Sequence, residues 1–419
     1  MRNLLVTAAL LLPAAAFAGG YAVPNTNARD LSMAGSLVAG QTDAIAAYVN
    51  PAALSGLEGI SVVVNGTMID FRSNWNAIDG TGASRESNLK PAWTPSVFAS
   101  YGGKVNGMGW GVGAGLNFPF GGHVFWPGDW PGRFSILTVN RRTYGMYLTG
   151  GFQPLPQIKV GGGLIYYRTT EDLALAFNFL GQEGGAELGT TGGKVSFDLS
   201  AEFTPVIGVP LTIGIDYKHK ADQVLTGHAH FDNAPPALGP NTLDQGATHD
   251  LTVPNLLNVG IAYRVLPNLL LTGAWTFDRF IVYKRDLFVG DLGTTLPVNR
   301  DYKNGYTFRL GAEMEDLVPK LTLRAGVLRD ISPTRPEALS PSIPDADVTA
   351  VAFGAGYEIA RGVTLNATYF HAFYDATTTA SAEVFPGRFE TRANILTIGI
   401  TFRPGEKPRG DSAGLSGSR

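Results

Sequence analysis

The chain has 419 residues, of which 53 are glycine, 16% are charged and none is cysteine. The lack of cysteine excludes disulfides, thiolate metal sites and a cysteine nucleophile. A formal net charge of −3 argues against a nucleic-acid partner, which normally selects a basic surface. The charged fraction is low for a soluble globular protein, in which about a quarter of the residues are charged.

The chain begins with a pattern typical of a secretory signal peptide. Arg2 gives a positive start, residues 4–15 form a short apolar core, and Ala16-Phe17-Ala18 fits a cleavage site. A membrane anchor is the alternative interpretation, but the apolar run is too short to span a bilayer. We therefore predict that residues 1–18 are removed and that the mature protein is exported.

Residues 19–58 follow, and they lack the alternation of a strand. They include the segment DAIAAYVNPAAL, residues 43–54, in which Asn50, Pro51 and Ala52 are consecutive. Proline cannot donate to a β-ladder, and the many small residues permit close packing in a confined space. The pattern predicts a compact segment of helix and turn.

From residue 59 onward the sequence predicts β-strands. In the run GKVSFDLSAEFT, Val195, Phe197 and Leu199 alternate with Ser196 and Asp198. A period of two places these two sets on opposite faces of a strand. We identify about fourteen such segments, centred near residues 65, 98, 112, 146, 164, 199, 215, 257, 274, 309, 326, 353, 368 and 398.

The length and the charges of these segments distinguish two kinds of all-β fold. Strands of a soluble sandwich average about five or six residues, whereas these run to about ten or more, the length that a tilted strand needs to cross a bilayer. Charges at mid-strand, such as Asp198, Asp216 and Arg309, fit the wet interior of a membrane barrel whose apolar face lies on lipid. We predict an all-β transmembrane antiparallel β-barrel over residues 59–403, with a sandwich or solenoid as the alternative.

Short and long connections alternate along this region, as they do in bacterial outer-membrane barrels. QPLPQ (153–157) and RVLPN (264–268) are interpreted as tight turns, and long loops are predicted at residues 119–135, 171–192, 222–249, 285–302 and 331–347. Side chains alone do not fill the interior of so wide a barrel. Residues 19–58 are therefore predicted to be an N-terminal hatch that plugs the lumen, with a periplasmic tail as the alternative.

The C-terminus differs from the barrel in composition. The last predicted strand ends near Phe402, and residues 404–419 are rich in glycine and serine. Such a composition is typical of disorder, so we predict a disordered C-terminal tail.

Four stretches of the sequence carry a resemblance to a known family. They are ARDLSMAGSLVAGQTDAIAAYVNPAAL, GLNFPFGGHVFWPGDWPGRF, YKHKADQVLTGHAHF and LTLRAGVLRDISPTRPEALSPSIPDAD. In this order they resemble the FadL/TodX-type outer-membrane transporters of long-chain fatty acids and hydrocarbons. The resemblance implies a hatch that contains Asn50, Pro51 and Ala52. It also implies an inward kink in the third strand, through which a hydrophobic ligand leaves sideways into the membrane after external loops have captured it.

The third predicted strand carries a row of glycines, Gly107, Gly109, Gly111, Gly113 and Gly115. Glycine leaves a strand thin and pliable. We predict that this row is the part of the wall that opens laterally.

The connection after this strand is rich in aromatic residues and is predicted to capture ligand. Exposed apolar clusters on loops commonly mark binding surfaces. Self-packing of the loop into an ordered lid is the alternative. The candidate ligand-binding residues are Phe118, Phe120, Phe125, Trp126, Trp130 and Phe134.

Two cations are candidates to bind a ligand carboxylate. Arg168 and Lys303 match positions of such cations in the family that the chain resembles, and a buried pair would hold a carboxylate by charge-assisted hydrogen bonds. The alternative is that they are two ordinary charges of the barrel or its rim, because Arg168 shares strand parity with Leu164 and Tyr166.

These features predict a monomeric, non-enzymatic channel in the outer membrane of a Gram-negative bacterium. It would take up long-chain fatty acids or related hydrocarbons passively, with that ligand and the membrane lipids as its partners. No cofactor is predicted, and His228 and His230 are interpreted as a loop edge rather than a metal site. The alternatives are a general porin for polar solutes, which needs an open lumen, and an outer-membrane lipid-modifying enzyme, which needs a serine and a histidine close together at the rim.

Overall fold

The structure is a computed structural model that describes residues 20–24, 27–87, 91–179, 181–235, 239, 242–379 and 385–404. The predicted signal peptide (1–18) and residues 405–419 of the predicted tail lie outside these ranges. Within the ranges, no helix is long and apolar enough to cross a membrane.

The described helices are all short, and most of the chain is β-strand. α1 (Ala28–Leu31), α2 (Ala46–Val49) and a 3-10 helix (Pro51–Gly56) precede the first strand, and two 3-10 turns (Phe280–Val282 and Pro336–Ala338) follow later. The strands are β1 (Gly59–Asn76), β2 (Ser84–Glu86), β3 (Ala92–Val105), β4 (Met108–Phe125), β5 (Thr138–Leu155), β6 (Ile158–Phe179), β7 (Gln182–Phe203), β8 (Leu211–Lys218), β9 (Ala221–Asp232), β10 (Gln245–Val253), β11 (Leu256–Leu266), β12 (Leu269–Asp278), β13 (Arg285–Gly290), β14 (Thr295–Asn299), β15 (Gly305–Val318), β16 (Leu321–Ile331), β17 (Val348–Ala360), β18 (Val363–Tyr374), β19 (Thr377–Thr379) and β20 (Gly387–Phe402).

These segments form a closed antiparallel barrel of 14 strands. Six barrel strands consist of two segments each, namely β2 with β3, β8 with β9, β10 with β11, β12 with β13, β14 with β15, and β18 with β19. The barrel closes where β20 pairs with β1, from Val62 opposite Phe402 to Asn76 opposite Arg388. Each of the predicted strand centres falls in a different barrel strand, so the predicted fold class is confirmed.

The two faces of the strands follow the period of two in the sequence. On β7, Val195, Phe197 and Leu199 are exposed on the outside, whereas Ser196 and Asp198 are buried inside. An apolar outer face and a polar inner face are what a barrel in lipid requires.

The two ends of the barrel differ in their connections. At one end, short turns join β3 to β4, β5 to β6, β15 to β16, and β17 to β18. At the other end the hairpins are long, and much of what the sequence predicted as loop is strand. β6 and β7 pair as far as Phe179 opposite Gln182, and residues 119–125 belong to β4. The ladder satisfies the backbone polar groups of these hairpins, which a glycine-rich composition alone does not reveal.

The described part of the N-terminal segment, residues 20–24 and 27–57, lies against the inner face of the barrel. Arg29 of α1 donates from Nε and Nη2 to the two carboxylate oxygens of Glu313 on β15, at 2.9 and 2.8 Å. Arg324 on β16 donates to the same carboxylate at 2.6 Å. Almost every side chain from Asn27 to Leu57 is buried, so the segment fills space that the strands enclose.

Candidate functional site

The Asn-Pro-Ala sequence starts the 3-10 helix inside the barrel. The Asn50 side chain accepts a hydrogen bond from the nitrogen of Ala52 at 3.2 Å and donates to the carbonyl oxygen of Val38 at 2.9 Å. Pro51 occupies the first helical position, where its missing N–H costs no hydrogen bond. The sequence therefore caps a helix and ties it to the rest of the N-terminal segment.

A belt of glycines forms the wall beneath this helix. Gly102, Gly111, Gly151 and Gly161 lie directly opposite one another on β3, β4, β5 and β6, so one register line crosses four strands. A Cβ on any of them would come within 2.5 Å of the N-terminal segment, at Leu57 O, Leu54 O, Pro51 O and Ala52 N respectively. The glycine belt thus lets the helix lie directly on the backbone of the wall.

The glycine row on β4 has this role, and the structure shows no break in strand pairing along it. From Met108 to Leu116, β4 is paired with β3 throughout. Gly109, Gly111 and Gly113 face Ser55, Leu54 and Ala47 closely, Gly115 faces the ring of Phe98, and Gly107 lies in the turn before the strand with a φ of 78°. Glycine is required because the N-terminal segment and Phe98 occupy the space of a side chain.

The irregularity in β4 lies further along the strand. Pairing with β3 ends at Leu116 opposite Val97, and a bulge interrupts the pairing with β5 between Asn117 and Phe120. Residues 117–124 are all buried, on both faces of the strand. They therefore lack the alternation of exposed and buried residues that the earlier part of β4 shows. A bulge re-aims a strand. β4 therefore leaves the line of the wall at Asn117 and enters the interior, and β3 loses its neighbour over residues 92–96.

The N-terminal segment replaces β3 as the partner of β4 there. The nitrogen of Gly121 donates to the carbonyl oxygen of Tyr21 at 2.7 Å, and the nitrogen of Val23 donates to the carbonyl oxygen of Pro119 at 2.9 Å. Ala22 is bridged to Phe120 between these bonds. Residues 21–23, called the N-terminal strand below, thus contact the freed edge of β4 through one antiparallel bridge.

An interior cavity of about 150 Å³ lies beside this junction. Its apolar lining includes Val23, Leu31, Pro119, Phe120 and Phe370. Its polar lining includes Asp30, Lys218, Asn258, Thr276, Asp278, Thr307, Arg309 and Asp330. The cavity is therefore amphipathic, and its apolar wall contains the residues at which β4 turns inward.

A chain of hydrogen bonds runs along the polar wall of the cavity. Arg309 donates to Thr276, whose hydroxyl donates to Asn258 at 2.7 Å. Asn258 donates to Asp216 at 2.9 Å, and the ammonium of Lys218 lies 2.6 Å from the same carboxylate. These inward side chains come from β15, β12, β11 and β8, so the polar faces of neighbouring strands meet as their alternation predicts.

The two cations singled out by sequence resemblance lie outside this cavity. Arg168 is exposed on the outer face of β6 with Leu164 and Tyr166, and Lys303 is exposed in the connection before β15. Strand parity turns Arg168 away from the interior, so neither residue forms the predicted buried pair. Arg309 was not among the predicted site residues, although its alternation with Phe308 and Leu310 already predicted an inward side chain.

The family model for outer membrane protein transport proteins (OMPP1/FadL/TodX) matches residues 9–403. The chain belongs to this family. It is accordingly an outer-membrane β-barrel. No curated protein sequence matches the chain.

Solved structures share the fold at low sequence identity. A FadL homologue from Pseudomonas aeruginosa aligns with a TM-score of 0.81 at 20% identity, over 92% of this chain and 100% of that one. The toluene transporter TodX of P. putida aligns with a TM-score of 0.73 at 16% identity, over 92% and 98%. The toluene transporter TbuX of Ralstonia pickettii aligns with a TM-score of 0.66 at 15% identity, over 90% and 98%. At these identities the likeness shows the fold alone.

Membership of an outer-membrane family gives the barrel its orientation. In such barrels the short turns face the periplasm and the long connections face outward. The last aromatic rings on the outer apolar face, before the long hairpins, belong to Tyr166, Tyr217, Phe277 and Tyr306. Beyond them the outward residues of β10, Thr248, Asp250 and Thr252, are polar, so this part of the barrel is an external layer above the membrane.

The predicted aromatic residues divide into three groups. Trp126 and Trp130 are buried and stacked, with ring centroids 4.4 Å apart, and their indole nitrogens donate to Pro341 and Ile136. Phe118 and Phe120 are buried at the bulge. The side chains that are exposed are those of Phe125 and Phe134. For the two tryptophans the structure agrees with the self-packing alternative and not with an exposed capture surface.

A buried charge cluster joins the external hairpins. His249 on β10 lies 2.6 Å from Glu171 on β6 and 3.0 Å from Asp286 on β13. Arg141 contacts Glu171 at 2.5 Å, and Arg300 contacts Asp286 at 2.8 Å. All five side chains are buried. No pattern in the sequence joins these residues, because each lies on a different segment.

Electrostatics in this cluster favours the charged form of each group. Burial lowers the pKa of His249, but Glu171 and Asp286 outweigh it and raise the pKa to about 9. Burial raises the pKa of Asp286, but Arg300, His249 and Arg141 hold it far below its usual range. Arg141 also lies over the ring of Tyr21, 5.4 Å from its centroid, so the cluster contacts the N-terminal strand.

Proposed function

We propose that the protein is a passive outer-membrane channel for hydrophobic molecules, which it releases sideways into the membrane. The observation that carries the proposal is the end of β3–β4 pairing at Val97 and Leu116, next to the interior cavity. Phe120 belongs both to the inward segment of β4 and to the cavity lining. A molecule in the cavity is therefore separated from the β3 edge by the inward part of β4.

The physical reason for a lateral exit is the solvent that the ligand prefers. Burial of each methylene away from water is favourable by about 0.8 kcal/mol, so an apolar ligand gains by passing into lipid rather than into the periplasm. Residues 20–24 and 27–57 lie inside the barrel, and they argue against a wide aqueous pore for polar solutes. The similarity to TodX and TbuX, both described as toluene transporters, also supports a hydrophobic ligand.

Entry from outside would begin at the external layer. Of the six predicted aromatic residues, Phe125 and Phe134 are exposed in this layer. Exposed apolar groups on loops are where hydrophobic ligands first adsorb. The N-terminal strand at Tyr21 and Val23, which pairs the inward segment of β4, would have to shift for a ligand to pass. Residues 20–57 thereby act as a hatch in a protein that works as a monomer.

The bulge provides the test of this route. Residues 118 and 119 on β4 face one residue on β5, so deletion of Pro119 restores an even register and favours a continuous wall. We expect cells that produce the deletion variant to accumulate radiolabelled toluene and decanoate more slowly than wild type, with a folded barrel judged by heat-modifiable gel mobility. Pro119→Ala keeps the residue count and is the control.

Two results would contradict the proposal in different ways. Wild-type uptake by the folded deletion variant would exclude a lateral exit at the bulge. Wild-type protein that accelerates the uptake of neither compound above vector-only cells would exclude hydrophobic transport itself.

A further inference from the structure

The cavity contains one buried carboxylate without a partner. Asp278, the last residue of β12, is 6% exposed and lines the cavity. Among the described residues, its carboxylate accepts no hydrogen bond and forms no ion pair. Its neighbour Asp330 differs, because that carboxylate accepts a hydrogen bond from Thr307 at 2.6 Å. A buried acceptor without a donor is costly, so the cavity favours a ligand that supplies one.

A donor faces the same space. Arg309 lines the cavity and donates to Thr276, two residues before Asp278 on the same face of β12. Within the described ranges, no carboxylate lies within ion-pair distance of the Arg309 guanidinium. Since a guanidinium carries five N–H donors, Arg309 retains donors for a ligand oxygen. One end of the cavity therefore presents an acceptor and a donor together.

The charges around the cavity disfavour an anionic ligand. The lining contains three carboxylates, those of Asp30, Asp278 and Asp330, and two cations, Lys218 and Arg309. Lys218 lies between Asp198, at 3.1 Å, and Asp216, at 2.6 Å, so its charge is already compensated. A ligand carboxylate at Arg309 would also approach the acidic side chains of Asp278 and Asp330, whose like charge repels it.

We propose that the cavity selects hydrophobic molecules that carry a hydroxyl group, such as phenols and alkanols, with Asp278 as the specificity-determining residue. This inference rests on the proposed transport of hydrophobic molecules. A hydroxyl group donates its one proton to the Asp278 carboxylate and accepts from the Arg309 guanidinium. A hydrocarbon fills the apolar wall but leaves both groups unsatisfied, and a carboxylate satisfies only Arg309.

A matched set of three ligands separates these chemistries. Toluene, p-cresol and p-toluate share one methyl-substituted ring. Toluene carries no further group, p-cresol carries a hydroxyl group, and p-toluate carries a carboxylate. We would measure their dissociation constants by isothermal titration calorimetry at pH 8 with the full chain in amphipol. We expect p-cresol to bind more tightly than toluene by about tenfold, as a hydrogen bond to a charged group implies, and p-toluate to bind most weakly.

Substitutions of Asp278 test whether this residue causes the preference for p-cresol over toluene. Asp278→Ala should lose the tenfold advantage of p-cresol and leave toluene unchanged. Because the native carboxylate has no partner, we expect this substitution not to lower the unfolding temperature, and Asp278→Asn provides a second variant of the same shape. Asp250→Ala removes an exposed carboxylate from the outer face of β10 and should change none of the three constants.

The outcomes distinguish the two levels of inference. Equal affinity for p-cresol and toluene, tightest binding of p-toluate, or an unchanged p-cresol constant in Asp278→Ala would each overturn the hydroxyl selectivity while leaving hydrophobic transport in place. Failure of the wild-type protein to bind any of the three ligands would count against both the selectivity and the proposed function.

Discussion

The backbone nitrogen of Gly121 donates a 2.7 Å hydrogen bond to the carbonyl oxygen of Tyr21, exactly one hundred residues earlier in the chain. The bond marks the place where β4 exchanges β3 for the N-terminal segment. In a bilayer, an unpaired strand edge costs several kcal/mol for each unsatisfied group. The wall can therefore be interrupted here because the N-terminal strand supplies the missing partner.

Replacement of Val23 by proline tests this pairing. Proline removes the N–H that donates to Pro119, and loss of one backbone hydrogen bond costs about 1 kcal/mol. We expect Val23→Pro to loosen the N-terminal strand and to raise ion conductance in planar bilayers, while the barrel stays folded. Deletion of residues 20–57 should give the largest rise.

Val23→Ala is the control for that experiment, since it shortens the side chain but keeps the N–H. Its conductance should match wild type. Equal conductance of wild type, Val23→Pro and the deletion variant would show that residues 20–57 do not limit the lumen.

The glycine belt makes a second prediction, about how the 3-10 helix is seated. A Cβ at Gly161 would lie 2.3 Å from the nitrogen of Ala52, which is too close for two atoms that are not bonded to each other. We expect Gly161→Val to displace the helix and raise ion conductance without preventing barrel assembly. Hydrogen exchange of residues 44–57, measured by mass spectrometry, should increase.

Gly66→Val is the matched control, because no atom lies within 4 Å of the Cβ position at Gly66 on the outer face of β1. It should leave conductance and exchange unchanged. Protection of residues 44–57 at the wild-type level in Gly161→Val would contradict close seating of the helix on the belt.

The fold could be predicted from the sequence because strand alternation is a local property. Arg309 lies inward with Thr307, and Phe308 outward, as the period of two requires. The same parity placed Arg168 with Leu164 and Tyr166, and the structure puts it outside. The family resemblance located that strand but not its face, so parity was the better guide to direction.

The parts that could not be predicted depend on contacts between distant segments. The glycines of β4 form an unusual row in the sequence, but nothing near them in sequence shows that residues 54 and 55 occupy their side-chain space. Asp278 likewise differs from other inward carboxylates only in its contacts, because its neighbours on β11, β15 and β16 provide no hydrogen-bond donor to its carboxylate. The sequence leaves self-packing of the aromatic loop open as an alternative, but it does not show that Trp75 and Phe389 pack with Trp126 and Trp130 and bury them.

A third prediction concerns these tryptophans. Since both are buried and hydrogen-bonded, Trp126→Ala and Trp130→Ala should each destabilise the external layer by about 3–5 kcal/mol, the usual cost of removing a buried aromatic side chain. Phe125→Ala and Phe134→Ala, at exposed positions, should leave stability unchanged and slow the uptake of limiting hydrophobic ligand.

Limited proteolysis of the external hairpins and initial uptake rates measure the two effects separately. Rapid cleavage in the tryptophan variants alone is the expected result. Resistance of Trp130→Ala to protease, with slowed uptake, would instead assign the tryptophans to ligand capture.

The last prediction is a pH dependence of the external layer that arises from His249. Its pKa is raised from 6.5 to about 9 in the folded protein, so folding favours the protonated imidazole. The stabilisation is fully present below pH 6.5 and is lost as the pH rises through 9. A shift of this size corresponds to about 3 kcal/mol. Glu171 and Asp286, whose pKa values are lowered, stay ionised throughout this range and do not reverse the sign.

We therefore expect hydrogen exchange of β10 and β13, corrected for the intrinsic pH effect, to accelerate between pH 7 and pH 10. His249→Gln should be less protected than wild type at pH 7, because it cannot supply the positive charge between Glu171 and Asp286. It should then show no further loss at pH 10, since the titrating group is gone. An equal loss of protection in His249→Gln and wild type would place the pH dependence on another group of the barrel.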